Sequence, residues 1–351
     1  MQITESSMSQ LPQSPKTLVV TGGAGFIGSN FILYWLEKYP DDSIINIDAL
    51  TYAGNLHNLD SVSNNPRYSF VKADICDAVA MNAALAGADA VVHFAAESHV
   101  DRSIKDPARF LQTNVLGTQV LLDAALKHNV KRFHHISTDE VFGTLELGSE
   151  EKFTESTPYS PRSPYSASKA GSDHIVRAYG ETYGLDYTIS NCSNNYGPLQ
   201  FPEKLLPMAI TSVIEGKPIP IYGDGNYIRD WLFVKDHCSA IEKILLEAPS
   251  QSTYVVGGLQ KDITNLELAK IILKLMGASD DQLTFVTDRP GHDRRYSVDW
   301  QAINRDLGWQ PSVTLEQGLQ QTIDWYKNNQ QWWQDLKTKN KEYFAQQYSR
   351  Q

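Results

Sequence analysis

Thr21-Gly22-Gly23-Ala24-Gly25-Phe26-Ile27-Gly28 follows the apolar run Leu18-Val19-Val20 and precedes Phe31, Ile32, Trp35 and Leu36 at helical spacing. Strand, glycine turn and helix in that order are the setting a dinucleotide fingerprint requires. One glycine makes the tight turn, a second admits a pyrophosphate close to the backbone, and a third lets helix and strand pack. The free amides and the positive end of the helix dipole then face the phosphates. Two glycine sets fit: Gly23, Gly25 and Gly28, or Gly22, Gly25 and Gly28.

Working outward, Ser43 to Asp48 reads as a short strand ending in an acid about 20 residues beyond Gly28. That is the interval at which a carboxylate grips the adenosine ribose, and its charge disfavours the extra phosphate of NADP. NAD is the expected cofactor. Tyr68 to Lys72 makes a third strand with Asp74 past its end, either an adenine contact or a helix N-cap. Ala90 to Phe94 makes a fourth, leading into Ala95-Ala96, small enough for a cofactor to pass. His93 reads as a core histidine.

Asp106 to Lys127 reads as one long amphipathic helix, with Asn114 as a structural tie between neighbouring elements. Arg132 to Ile136 makes strand five and runs into Ser137-Thr138-Asp139-Glu140. In an open parallel sheet the carboxyl ends of the strands face the ligand crevice, so four polar residues there are candidates for chemistry. Pro164 opens a helix in which Tyr165 and Lys169 lie one turn apart on one face. The ammonium and a positive nicotinamide would lower the tyrosine's pKa and make it a general base. Strand six runs from Asp186 to Ser190. Phe201 to Glu215 and Thr264 to Met276 read as helices, and Pro218 to Tyr222 as a short strand.

Strand–helix alternation with a fingerprint at strand one predicts an α/β fold, a doubly wound parallel Rossmann sheet with a smaller mixed α/β substrate-binding lobe. The expected division is a flexible tail at 1–15, an NAD-binding domain at 16–198 and 229–258, and a smaller second lobe capping the cofactor at 199–228 and 259–351. The 351 residues are 41% hydrophobic, enough for a large core. A net charge of −10 argues against nucleic acid and anionic membranes. Three scattered cysteines suggest neither disulfides nor zinc, and the nine histidines show no metal spacing. No signal peptide or apolar span is evident, so a cytoplasmic protein is expected.

Gly22–Gly28 together with Tyr165 and Lys169 resembles the extended short-chain dehydrogenase/reductases that act on nucleotide sugars. Ser137 to Gly143 is similar to the Thr-Asp-Glu motif of the dTDP-glucose 4,6-dehydratases within that family. Asp48 to Asn55, Asn191 to Pro198, Arg229-Asp230-Trp231 and Asp288 to Tyr296 are further matching segments. Phe142 stands where tyrosine is commoner, and the loop from Thr144 to Glu155 varies in length among relatives.

The resemblance implies an NAD-dependent hydro-lyase acting on dTDP-glucose, feeding deoxysugar biosynthesis. Tyr165, helped by Lys169 and Thr138, would take the 4-hydroxyl proton; Glu140 would take the carbon 5 proton, and Asp139 would protonate the departing 6-hydroxyl. The cofactor would meet Gly22, Gly25, Phe26, Ile27, Gly28, Asp48, Ala49, Leu50, Thr51, Asp74, Ile75, Phe94, Ala95, Ala96, Thr113, Tyr165, Lys169 and Asn195. The substrate would meet Ser98, Thr138, Asn194, Lys204, Leu205, Pro220, Tyr222, Arg229, Asn265, Asp288, Arg289 and His292. A homodimer through the helices at 106–127 and 165–183 is implied. The rivals are an epimerase or decarboxylase on the same scaffold, and an idle NAD-sensing or RNA-associated protein. Adjacent carboxyls disfavour the first, since epimerisation loses no water. The intact catalytic set and the acidic charge disfavour the second.

Overall fold

The structure is a computed structural model that describes residues 15–288 and 292–340. Its strands are β1 (Thr17–Thr21), β2 (Ser43–Asp48), β3 (Tyr68–Lys72), β4 (Ala90–His93), β5 (Arg132–Thr138), β6 (Tyr187–Cys192), β7 (Asn194–Tyr196), β8 (Ile219–Tyr222), β9 (Trp231–Phe233), β10 (Ser252–Val256) and β11 (Leu283–Val286). Seven of them form one sheet in the order β10-β6-β5-β4-β1-β2-β3. All its pairings are parallel. The strand order reverses between β1 and β4, which opens a crevice at their carboxyl ends.

A parallel sheet is covered on both faces, so its strands are apolar on both. Val19, Val91, Phe133 and Ile189 pack on one side, with Leu121 and Val176 from the covering helices. Leu18, Val20 and Val92 pack on the other, against Phe31, Trp35 and Ile241. Phe31 is fully buried and contributes about 2 kcal/mol of burial energy.

The helices are α1 (Phe26–Lys38), α2 (Ala78–Ala84), α3 (Val100–Lys105), α4 (Pro107–Phe110), α5 (Thr118–Lys127), α6 (Pro164–Tyr183), α7 (Leu205–Ile214), α8 (Val234–Glu247), α9 (Asn265–Met276), α10 (Gln301–Leu307), α11 (Leu315–Asn328) and α12 (Gln330–Lys339). Leu206, Ile210, Ile272, Leu319, Ile323 and Trp333 form a separate core around Trp231 and Phe233. Two small parallel sheets, β8 with β11 and β7 with β9, complete the fold.

The expected helix from Asp106 to Lys127 runs unbroken from Pro107 to Lys127 but is π-helical in its middle. The π-helical stretch, Leu111–Gly117, lies between α4 and α5. Asn114 causes it: its side chain accepts from Glu97 N at 2.8 Å and donates to Glu97 O at 3.0 Å and to Ser168 Oγ at 2.8 Å. These bonds draw one turn toward the sheet, and the Thr118 hydroxyl takes up the Asn114 carbonyl at 2.6 Å. The helix expected from Phe201 begins only at Leu205, because buried Glu203 is drawn to His99 (3.7 Å) and Arg102 (3.6 Å). Among the described residues no helix is long and apolar enough to cross a membrane.

Candidate active site

One cavity of about 620 Å³ runs from the carboxyl ends of β1 and β4 to the β8–β11 side of the molecule. At its first end the glycine question has a definite answer. Gly22, Gly25 and Gly28 line it, while Gly23 does not and packs so closely on Asn46 that a Cβ would lie 2.3 Å from Oδ1. Gly22 has φ +68, and a Cβ there would meet Ala95 N at 2.6 Å; one on Gly28 would meet Gly22 O at 2.4 Å. Gly25 is the N-cap of α1 with no side-chain cap, leaving the first amides of the helix to a ligand.

Asp48, at the end of β2, accepts from Leu50 N at 2.7 Å and from Ala24 N at 3.0 Å. Burial pushes its pKa up against those two bonds. Cradle, open helix end and carboxylate are the donor set a dinucleotide needs, and NAD fits them. Phe26, Ile27, Ala49, Thr51, Asp74, Ile75, Phe94, Ala95, Ala96, Thr113 and Asn195 also line the cavity. Leu50 does not: it turns back at φ +54 to give its amide to Asp48. Asp74 is not a helix cap, since Asp77 caps α2 and Asp74 accepts from Cys76 N at 2.9 Å. His93 is satisfied in the core between Thr21 (2.7 Å) and Thr118 (3.0 Å).

At the centre β5 delivers its last residue, Thr138, beside α6. The Thr138 hydroxyl caps the turn by accepting from Glu140 N at 3.3 Å, lies 3.3 Å from Asp139 Oδ1, and is hydrogen-bonded to the Tyr165 phenol. Asp139 is 1% exposed and its Oδ2 has no partner. Burial, then Glu140 and Asp230, hold its carboxyl well above the usual carboxylate range. That environment favours the protonated, acid form of Asp139. Glu140 is half-buried on the same wall.

Lys169 donates at 2.7 Å to the Ile136 carbonyl. Burial pushes it down to about 8, against the pull of Asp173. Tyr165 was expected to be acidified by Lys169 and the nicotinamide charge together. Burial and Glu140 push its phenol well above the ordinary value, with the Thr138 bond opposing. The chain's own groups thus keep it a phenol, and a cationic ring against it is what would favour the phenolate. Beneath lies buried Asp173, which accepts from Ser137 (2.8 Å), Tyr159 (2.8 Å) and Asn191 (3.2 Å) and lies 3.2 Å from His135 Nε2.

At the far end Ser98, Asn194, Lys204, Leu205, Tyr222, Arg229, Asn265 and His292 line the cavity. Pro220 and Asp288 do not. Pro220 alternates with Ile219 and Ile221, whose side chains are buried, and Asp288 spends its carboxylate on Tyr227 and on His292 Nδ1 at 2.8 Å. Asp288 so holds His292, whose ring stacks on Tyr227 at 3.8 Å. Arg289 and residues 1–14 of the tail expected at 1–15 lie outside the described residues, and Pro15 is buried. Arg229 is anchored by Ile228 O (2.7 Å) and Asp293 O (2.9 Å) and sits 4.3 Å over the Tyr296 ring. Tyr296, Glu97, Tyr52, Cys192 and Trp332 also line the cavity. Tyr52, Cys192 and Tyr296 fall inside matching segments without being singled out there, whereas Glu97 and Trp332 are brought in only by the arrangement in space. Among the described residues no group of side chains suited to a metal ion is found.

The family described as GDP-mannose 4,6 dehydratase matches residues 19–322. The dTDP-glucose 4,6-dehydratase of Neisseria meningitidis serogroup B is 49% identical over 92% of this chain and 96% of its own. A crystal structure of the dTDP-glucose 4,6-dehydratase of Streptomyces venezuelae, with NAD bound, superposes with a TM-score of 0.88 at 49% identity, covering 91% of this chain and 99% of that one. The UDP-glucose 4-epimerase of Thermotoga maritima also shares the fold, with a TM-score of 0.82 at 29% identity over 90% of this chain and 99% of its own. Cavity, catalytic side chains and relatives agree: the chain belongs to the family of the dTDP-glucose 4,6-dehydratases.

Proposed function

We propose that this chain converts dTDP-glucose to its 4-keto-6-deoxy derivative with loss of one water. The observation that carries this reading is Asp139, a buried carboxyl with an unpartnered Oδ2 beside Glu140 at the end of β5, where burial favours its acid form. An acid and a base side by side are what eliminating a hydroxyl and an adjacent proton requires, and epimerisation has no use for the acid. Bound NAD supplies the redox half of the chemistry, taking hydride from carbon 4 and returning it to carbon 6.

This chain's residues do the rest. Tyr165 removes the 4-hydroxyl proton, with Thr138 hydrogen-bonded to the developing phenolate. Lys169, fixed on Ile136, supplies positive charge one turn below. Once carbon 4 is a ketone, the proton on carbon 5 is acidic; Glu140 takes it and gives it back to carbon 5 once carbon 6 is reduced. Asp139 gives its proton to the 6-hydroxyl, which leaves as water. Lys204, Arg229 and His292 face the nucleotide diphosphate, and Arg229 is already oriented by two carbonyls.

We further propose a nucleotide-sugar lobe formed by 199–228 and 259–351, a cytoplasmic setting consistent with the free thiols Cys76, Cys192 and Cys238, and a homodimer. Exposed Ile104, Leu111 and Leu116 on the segment around α4 support the dimer. The experiment is mass spectrometry of dTDP-glucose incubated with the purified protein. A product lighter by one water supports dehydration; an isomer of unchanged mass would overturn it in favour of epimerisation.

A further inference from the structure

The aromatic residues of the last two helices take part in no step above, yet one of them reaches the glycine turn. Trp332 Nε1 donates at 3.0 Å to Asn58 Oδ1, and Asn58 Nδ2 donates at 3.0 Å to the Ala24 carbonyl inside that turn. Asn58 is 6% exposed, so water does not readily replace either bond. The same carbonyl accepts from Asn55 N at 2.9 Å, and Ala24 N is held by Asp48. Trp332, Leu336 and Asn58 all line the cavity.

The aromatic cluster also touches the other side of the cofactor end. Trp332 meets Trp325 edge-on at 4.9 Å and Tyr326 at 6.4 Å. The Tyr326 hydroxyl donates to the Gln200 carbonyl, and Gln200 Nε2 donates at 3.0 Å to the Asn195 carbonyl. Two backbone points of the cradle, Ala24 and Asn195, are thus tied to helices from the end of the described chain.

We propose that Trp332 is a positioning residue for the dinucleotide: through Asn58 it latches the glycine turn and slows release of NAD. The proposal rests on the NAD reading above. A cofactor reduced and reoxidised within one turnover gains nothing by leaving, so a slow exit suits the reaction. Without the indole N–H, Asn58 Oδ1 becomes a buried acceptor without a partner, and the amide no longer holds Ala24 in one place.

The test compares NAD-loaded wild type with Trp332→Phe, which keeps an aromatic ring and deletes the donor. Trp325→Phe disturbs the same cluster without touching Asn58 and is the packing control. NAD release is followed by trapping the freed dinucleotide with a second enzyme, alongside the melting temperature of the NAD-free proteins. The expected result is release on the order of tenfold faster from Trp332→Phe alone, with melting temperatures of the two variants alike. Release unchanged in Trp332→Phe, or accelerated equally in Trp325→Phe, overturns the latch. If Trp332→Phe does not fold, Asn58→Ser is read the same way, and unaltered release there overturns it too. A wild-type protein that binds no NAD at any concentration would instead strike the cofactor reading itself.

Discussion

Lys169 Nζ donates to the Ile136 carbonyl at 2.7 Å, pinning the helix that carries Tyr165 to the strand that ends in Thr138. One bond therefore sets the distance between the two halves of the catalytic set. The ammonium making it is buried, and its pKa is pushed down to about 8.

The loss of that proton should be visible in activity. Lys169 is charged below about pH 8 and neutral above, so kcat/KM should fall as pH rises through that value. Lys169→Arg, which cannot lose its charge, should flatten the limb even if its absolute rate is low. Stability runs the other way. Between about 8 and the ordinary 10.5 the unfolded chain binds the extra proton, so wild type should gain on Lys169→Gln in melting temperature over that window. A difference that does not change with pH would show that Lys169 keeps its proton throughout.

The two proton-transfer roles separate by stage. Tyr165→Phe should bind NAD but lose its transient reduction, with turnover down ~10²–10⁴-fold. Asp139→Asn should still reduce the bound cofactor and then stall before water leaves. Stopped-flow absorbance of the reduced nicotinamide distinguishes them; full turnover in Asp139→Asn would remove Asp139 from the elimination.

Gly22→Ala tests the cradle. The new Cβ would sit 2.6 Å from Ala95 N on a backbone at φ +68, a strain of about 1–3 kcal/mol before any clash is counted. Calorimetry should show a lower melting temperature, and the purified variant should carry little NAD. Gly148→Ala, also at positive φ but with nothing within 4 Å, should show the backbone strain without the loss of NAD.

Leu111→Asp combined with Leu116→Asp tests the dimer. Both side chains are about half exposed, so the folded protomer should tolerate the charges while a shared apolar face should not. Sedimentation should report a monomer; a persistent dimer would place the interface elsewhere.

The sheet was legible because its signals are local: the apolar runs of β1 and β4, the glycine turn and the acid at Asp48 are each contained in a few residues. The positions of Thr138 and Asp139 followed from the rule that strand ends face the crevice, and those of Tyr165 and Lys169 from their one-turn spacing on a helix opened by Pro164. What stayed hidden depended on distant partners. Nothing within Asp106 to Lys127 announces a π-helical turn, because its cause, the capture of Asn114 by Glu97 and Ser168, is tertiary. The phenol of Tyr165 was expected to be acidified by Lys169 and the nicotinamide charge together; of the chain's own groups, burial and Glu140 push it the other way and only the Thr138 bond opposes them. Pro220 was placed at the site only by resemblance, as part of the stretch Pro220 to Tyr222, and of that stretch Ile221 and Tyr222 line the cavity while Pro220 does not.

The sheet's edge strand β10 comes from residues 252–256, after the chain has left the sheet at β6, made β7, β8, β9 and α8, and returned. On the ribosome, six strands can assemble while β6 still presents a bare edge of backbone donors and acceptors. That edge is covered only once Val256 of these 351 residues has been made, about three-quarters of the way along, so a nascent chain halted near Pro198 is an invitation to mispairing rather than a small stable domain.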